Sequence, residues 1–107
     1  MKDPKQIIQL QKRFFETGKT RDINFIKAKL KRLKKSIISN EDAINQVLYK
    51  DLKKPKFEAY MSELGILISE INNVLKNLSK WSKPKKVRSS KLNFPSKDYI
   101  YYEPYGT

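Results

Sequence analysis

Phe57-Glu58-Ala59-Tyr60-Met61-Ser62-Glu63-Leu64-Gly65-Ile66-Leu67-Ile68-Ser69-Glu70-Ile71-Asn72-Asn73-Val74-Leu75-Lys76-Asn77-Leu78 is the most regular run in this sequence. Phe57, Leu64, Ile71 and Leu78 recur every seven residues, with Tyr60/Met61, Leu67/Ile68 and Val74/Leu75 between them. Steps of three and four residues put these side chains in one broad stripe on an α-helix, as wide as packing into a globular core requires. A two-stranded coiled coil is the lesser alternative, because the run is short for one. Gly65 lowers helix propensity by about 1 kcal/mol relative to Ala and suggests a close backbone approach.

Three further helices are predicted upstream. Asp3 caps the first, with Pro4 at a position where a missing N–H costs nothing, and Ile7, Leu10 and Phe14 form its stripe. Thr17-Gly18 ends it, because glycine accepts the left-handed conformation of a C-terminal cap. Asp22 caps the second helix, whose apolar face is Ile26, Leu30, Leu33 and Ile37. Asn40 reads as the N-cap of the third, with Glu41 and Asp42 favourably placed against the helix dipole. Ile44, Val47, Leu48 and Leu52 supply its buried side, and it closes before Lys53-Lys54-Pro55 because a residue preceding proline is pushed out of helical geometry.

Downstream, Trp81 reads as a packing anchor just past the fourth helix, and the character of the chain then changes. Pro84, Pro95 and Pro104 exclude a long helix, and Ser82 to Ser90 reads as a basic connector. Tyr99-Ile100-Tyr101-Tyr102 is rich in strand formers and Glu103-Pro104-Tyr105-Gly106 in turn formers. A lone strand leaves its backbone groups without partners, so the expectation is that polypeptide beyond residue 107 completes the sheet.

The 107 residues include 24 Lys plus Arg and 11 Asp plus Glu, a formal net charge of +13, with no histidine and no cysteine. Those two zeros exclude a thiol nucleophile, a disulfide framework, an imidazole base and any ordinary zinc site. The length suits one domain. No apolar run approaches the roughly 20 residues of a membrane span, and the N-terminus does not read as a signal peptide, so a soluble, cytoplasmic protein is expected.

Several local signals have plain structural readings. Gly18-Lys19-Thr20 resembles the end of a phosphate-binding loop, but the glycine required five positions earlier is Arg13, inside a helix. The basic run Lys27 to Lys35 invites a nucleic-acid reading. The basic surplus is spread along the chain, however, and only Arg13, Arg21, Arg32 and Arg88 offer the guanidinium fork suited to phosphates and bases, so a lysine-rich solvated face is the simpler account. Glu63 and Glu70, seven apart on the fourth helix and thus about 10 Å apart along it, read as surface charge. The tyrosine cluster Tyr99, Tyr101, Tyr102 and Tyr105 reads as a strand face packed on a neighbouring domain or subunit.

Four strings carry a more specific likeness: Phe15-Glu16-Thr17-Gly18-Lys19-Thr20-Arg21, Ala43-Ile44-Asn45-Gln46-Val47-Leu48-Tyr49-Lys50-Asp51-Leu52-Lys53-Lys54, Phe57-Glu58-Ala59-Tyr60 and Pro95-Ser96-Lys97-Asp98-Tyr99-Ile100-Tyr101-Tyr102-Glu103-Pro104-Tyr105-Gly106. In this order they resemble the N-terminal region of class 3 (fatty-aldehyde-type) aldehyde dehydrogenases. Ile26 and Lys29 depart from the Arg and Gln typical of that family after Phe25.

The resemblance implies the mostly helical opening of the aldehyde dehydrogenase α/β fold: four helices, the last the longest, then an extended segment and a strand. It divides the chain into a helical region of the cofactor-binding domain, 1–81, and a basic linker with a strand of the subunit-bridging region, 82–107. Family members oxidise aldehydes to carboxylic acids with NAD or NADP through a cysteine thiolate, and the nucleophile, the glutamate base and the cofactor strands lie in later polypeptide. No catalytic, cofactor or metal residue is therefore assigned within 1–107. Ser62 and Ile66 fall at the substrate entrance by the same resemblance, and both differ from the acidic and aromatic residues of mammalian members. The implied partners are the remainder of the enzyme chain and a second subunit, and a marginally stable isolated chain is expected. The alternative is a small basic helical module that binds nucleic acid or another protein.

Overall fold

The computed structural model describes residues 3–106. Met1, Lys2 and Thr107, part of the ends read above for a leader and a final turn, lie outside the described residues. Four helical stretches lead into a two-stranded sheet: α1 (Pro4–Glu16), a 3-10 turn (Lys19–Arg21), α2 (Ile23–Ser39), α3 (Glu41–Leu52), α4 (Lys56–Ala59), a π turn (Tyr60–Leu64), α5 (Gly65–Trp81), β1 (Lys85–Val87), a second 3-10 turn (Lys91–Asn93) and β2 (Asp98–Ile100).

The helix ends follow capping chemistry. Asp3 Oδ1 accepts the Lys5 N–H at 3.2 Å, and Pro4 occupies the first turn of α1. Gly18 takes φ +74° after Thr17, whose hydroxyl donates to the Phe14 carbonyl at 2.6 Å. Asp22 Oδ1 accepts the Asn24 N–H at 2.9 Å. Asn40 departs from expectation. It stands at the N-cap position of α3, but its side-chain amide turns back to donate to the Ser36 carbonyl at 2.8 Å. A single residue separates α2 from α3, and its backbone N–H also serves the tail of α2, so the orphan carbonyls of α2 claim the side chain first. α3 ends where proline predicted, with Lys53 at φ +54° as the terminating residue.

The long helical run carries the largest correction. Leu64 and Ile71 are buried, 3% and 5% exposed, but Phe57 is 77% exposed and Ala59, absent from the heptad reading, is fully buried. The π turn is the cause. The Gly65 N–H donates to the carbonyl of Tyr60, five residues back, so the turn holds one residue more than an α-turn. That extra residue brings Ala59 close to where a residue four before Leu64 would stand and carries Phe57 off the stripe. Gly65 makes the turn feasible, since a Cβ there would sit 2.7 Å from the Tyr60 carbonyl oxygen.

On α3 the buried face contains Asn45, while Val47 and Leu52 are exposed. On α2, Leu33 is exposed and Ile26, Leu30 and Ile37 are half-buried. The strand is not alone, as the sequence had suggested. β2 pairs antiparallel with β1 inside the basic connector, in the register Lys85↔Ile100, Lys86↔Tyr99 and Val87↔Asp98. Lys85-Lys86-Val87 carries no apolar alternation, so no strand signal was available there. The loop between them contains a cis Phe94–Pro95 bond and is tied by Ser89 Oγ donating to the Ser96 carbonyl at 3.0 Å.

The chain divides into two compact units, Lys27–Asn77 and the flanks up to Ile26 and from Leu78 onward. Among the described residues every buried side chain lies in Lys27–Asn77.

Candidate functional site

Within Lys27–Asn77 an apolar cleft of about 440 Å³ opens between α2, α3 and the π turn. Ile37, Ile44, Leu48, Leu64, Ile66 and Leu67 form its walls, and Ser62 and Glu63 its polar lip. The two residues assigned by resemblance, Ser62 and Ile66, both line this cleft.

The lip is hydrogen-bonded. Lys54 Nζ lies 2.8 Å from Glu63 Oε1 and 3.3 Å from Ser62 Oγ. The Ser62 hydroxyl in turn donates to the Glu58 carbonyl at 2.8 Å. Glu63 is an exposed charge, as expected, and its carboxylate is also paired with a lysine. Sequence reading missed Lys54 altogether. Its only signal was the Lys53-Lys54-Pro55 punctuation, which speaks of a helix end and not of where the ammonium goes.

A second apolar cleft, about 770 Å³, lies in the flanking unit between Trp81, Tyr102 and Pro84, with Lys80, Lys83 and Lys85 at its edge. Trp81 is the last residue of α5 and stands half-exposed. The Tyr99 and Tyr101 rings lie 6.4 Å apart, and Arg21 approaches Glu103 at 3.9 Å with both side chains exposed.

Gly18-Lys19-Thr20 ends one helix and opens a three-residue 3-10 turn, with Arg13 inside α1. It is no phosphate loop. Among the described residues no group of three or more acidic side chains stands ready for a metal ion, and no helix is long and apolar enough to cross a membrane. In the basic run, Lys34 Nζ donates to Asn72 Oδ1 at 2.7 Å. Nothing in the structure favours the nucleic-acid alternative.

No protein-family model matches the chain. Among curated proteins it is 48% identical over 96 residues to the 4,4'-diaponeurosporen-aldehyde dehydrogenase of Staphylococcus aureus, covering 90% of this chain and 21% of that protein. It is 34% identical over 93 residues to aldehyde dehydrogenase family 3 member F1 of Arabidopsis thaliana, covering 87% and 19%. Against family 3 member B1 of Bos taurus it is 35% identical over 99 residues, covering 92% and 21%. The solved structure described as "Substrate bound state of Staphylococcus Aureus AldH" superposes with a TM-score of 0.94 at 44% identity, over 98% of this chain and 23% of that one. The chain spans about a fifth of the length of the curated relatives it matches. It is a homologue of the N-terminal region of the aldehyde dehydrogenases, family 3 members among them.

Proposed function

We propose that this chain acts as the N-terminal, non-catalytic part of a cytoplasmic, dimeric aldehyde dehydrogenase that converts aldehydes to carboxylic acids with NAD or NADP. The observation that carries this reading is the superposition of nearly the whole chain on a solved enzyme more than four times as long. The chemistry is consistent with it. Aldehyde oxidation by this route needs a thiolate to attack the carbonyl and a hydride acceptor beside it. The chain has no cysteine, so the thiolate would come from other polypeptide, and the hydride acceptor's site is read as lying there too.

Its own contribution would be scaffolding. α1 buries no side chain, and Ile7, Leu10 and Phe14 stand exposed along one face, an arrangement suited to packing against a larger body. The cleft lipped by Ser62 would form part of the substrate entrance, with Ile66 on its wall.

The test is complementation. The chain is co-expressed with a polypeptide comprising the remainder of the staphylococcal relative, and reduction of the nicotinamide is followed with an aldehyde as substrate. Neither piece alone is expected to turn over, and the two together are. Turnover by the chain unaided, or failure of the pair to associate and react, overturns the reading.

A further inference from the structure

Two irregular turns meet at one side chain. The turn after α3 presents Lys54, and the π turn presents Ser62 and Glu63, both within hydrogen-bond reach of its ammonium. The Lys54 side chain is 18% exposed, against 69% for Lys56 facing Asp42 and 58% for Arg21 facing Glu103. An exposed ion pair contributes little because solvent screens it. A charge-assisted hydrogen bond on a lysine side chain so largely withdrawn from solvent is stronger, and losing the carboxylate leaves the Lys54 charge poorly compensated.

The π turn needs such a constraint. A π turn competes with the ordinary α register, and slipping between them rotates the residues ahead of Tyr60 by about 100° relative to those after Leu64. Lys54 lies ahead of the turn, Ser62 and Glu63 within it and Ile66 after it, so the register sets how Ser62 and Ile66 share the cleft.

We propose that Lys54 is a positioning residue: by holding Glu63 and Ser62 it selects the π register and so fixes the cleft's polar lip against its apolar wall. The role rests on the reading of that cleft as part of a substrate entrance. With Lys54 in place, the Glu63 charge is matched and the Ser62 hydroxyl is engaged as both donor and acceptor. A ligand passing the lip then meets satisfied polar groups and hydrocarbon.

The amide of Gly65, which donates across the π turn to Tyr60, is the reporter. Hydrogen exchange is measured by NMR on the 107-residue chain, with the Ile71 amide as the reference within α5. Lys54→Met is expected to speed Gly65 exchange about tenfold and leave Ile71 unchanged. Glu63→Gln should do the same, the double variant should add nothing further, and Lys54→Arg should restore most of the protection. Equal Gly65 exchange in all forms, acceleration spread evenly to Ile71, no rescue by arginine, or an unprotected Gly65 amide in the unsubstituted chain each overturns the proposal. The experiment reads backbone amides and not turnover, so its failure is distinct from failure of complementation.

Discussion

The segment Lys27–Asn77 and the flanks around it have nearly equal shares of the chain but different internal support. Ala59, Leu64, Ile71 and Asn45, the buried side chains of the described residues, all belong to the former. The flanks hold together by lighter means. These include a Phe14–Phe25 ring contact at 5.9 Å, a three-residue strand ladder and an exposed Arg21–Glu103 pair. Burial of apolar surface dominates stability, while two-stranded sheets and exposed ion pairs add little. The difference teaches that cooperative folding of this chain, where it exists, is centred on Lys27–Asn77. The flanks would gain most from the rest of an enzyme.

Substitutions can break or sharpen that contrast. Ile71→Ala should have the largest effect, lowering stability in urea by about 2–4 kcal/mol, enough to erase a cooperative transition in a marginal domain. Next comes Gly65→Ala, which helix propensity alone would make favourable. The clash of the new Cβ with the Tyr60 carbonyl should reverse the sign and cost about 1–2 kcal/mol, read from the same titration. Asn45→Leu should act the other way. Both polar atoms of its buried amide lack a hydrogen-bond partner, so an apolar group of similar size should stabilise by about 1 kcal/mol. In the flanks, Leu92→Ser, at a side chain almost wholly in solvent, should leave the urea midpoint within about 0.5 kcal/mol of the parent. A large loss from that last change would mean the flanks carry stability of their own.

Much of this arrangement was legible in the residues, and what escaped has physical reasons. Asp3, Pro4, Gly18 and Asp22 act within a few residues of themselves, so their roles survive without knowledge of the rest. The stripe of Leu64 and Ile71 was legible for the same reason. Phe57 was not, because the heptad assumed an unbroken α-helix and Gly65 alone does not announce a π turn. Asn40 does stand at the N-cap position of α3, but the local pattern gave no sign that its side chain would serve the tail of α2. β1 was invisible because its pairing comes from a partner strand rather than from its own pattern. Ser62 and Ile66 came from family likeness, and geometry adds that they share a cleft. Lys54 lay beyond reach, since nothing local says that a lysine before a proline will bend toward a carboxylate nine residues on.

The surplus residue in Tyr60–Leu64 has one more implication. A codon deletion inside that stretch would leave the helix unbroken, because removing the additional residue simply restores ordinary winding. Such a shortened chain would place Ala59 four residues before Leu64, still on the buried face, and would leave Phe57 off the stripe. This segment is therefore a place where the gene could shed one codon while both halves of the helix keep their facing.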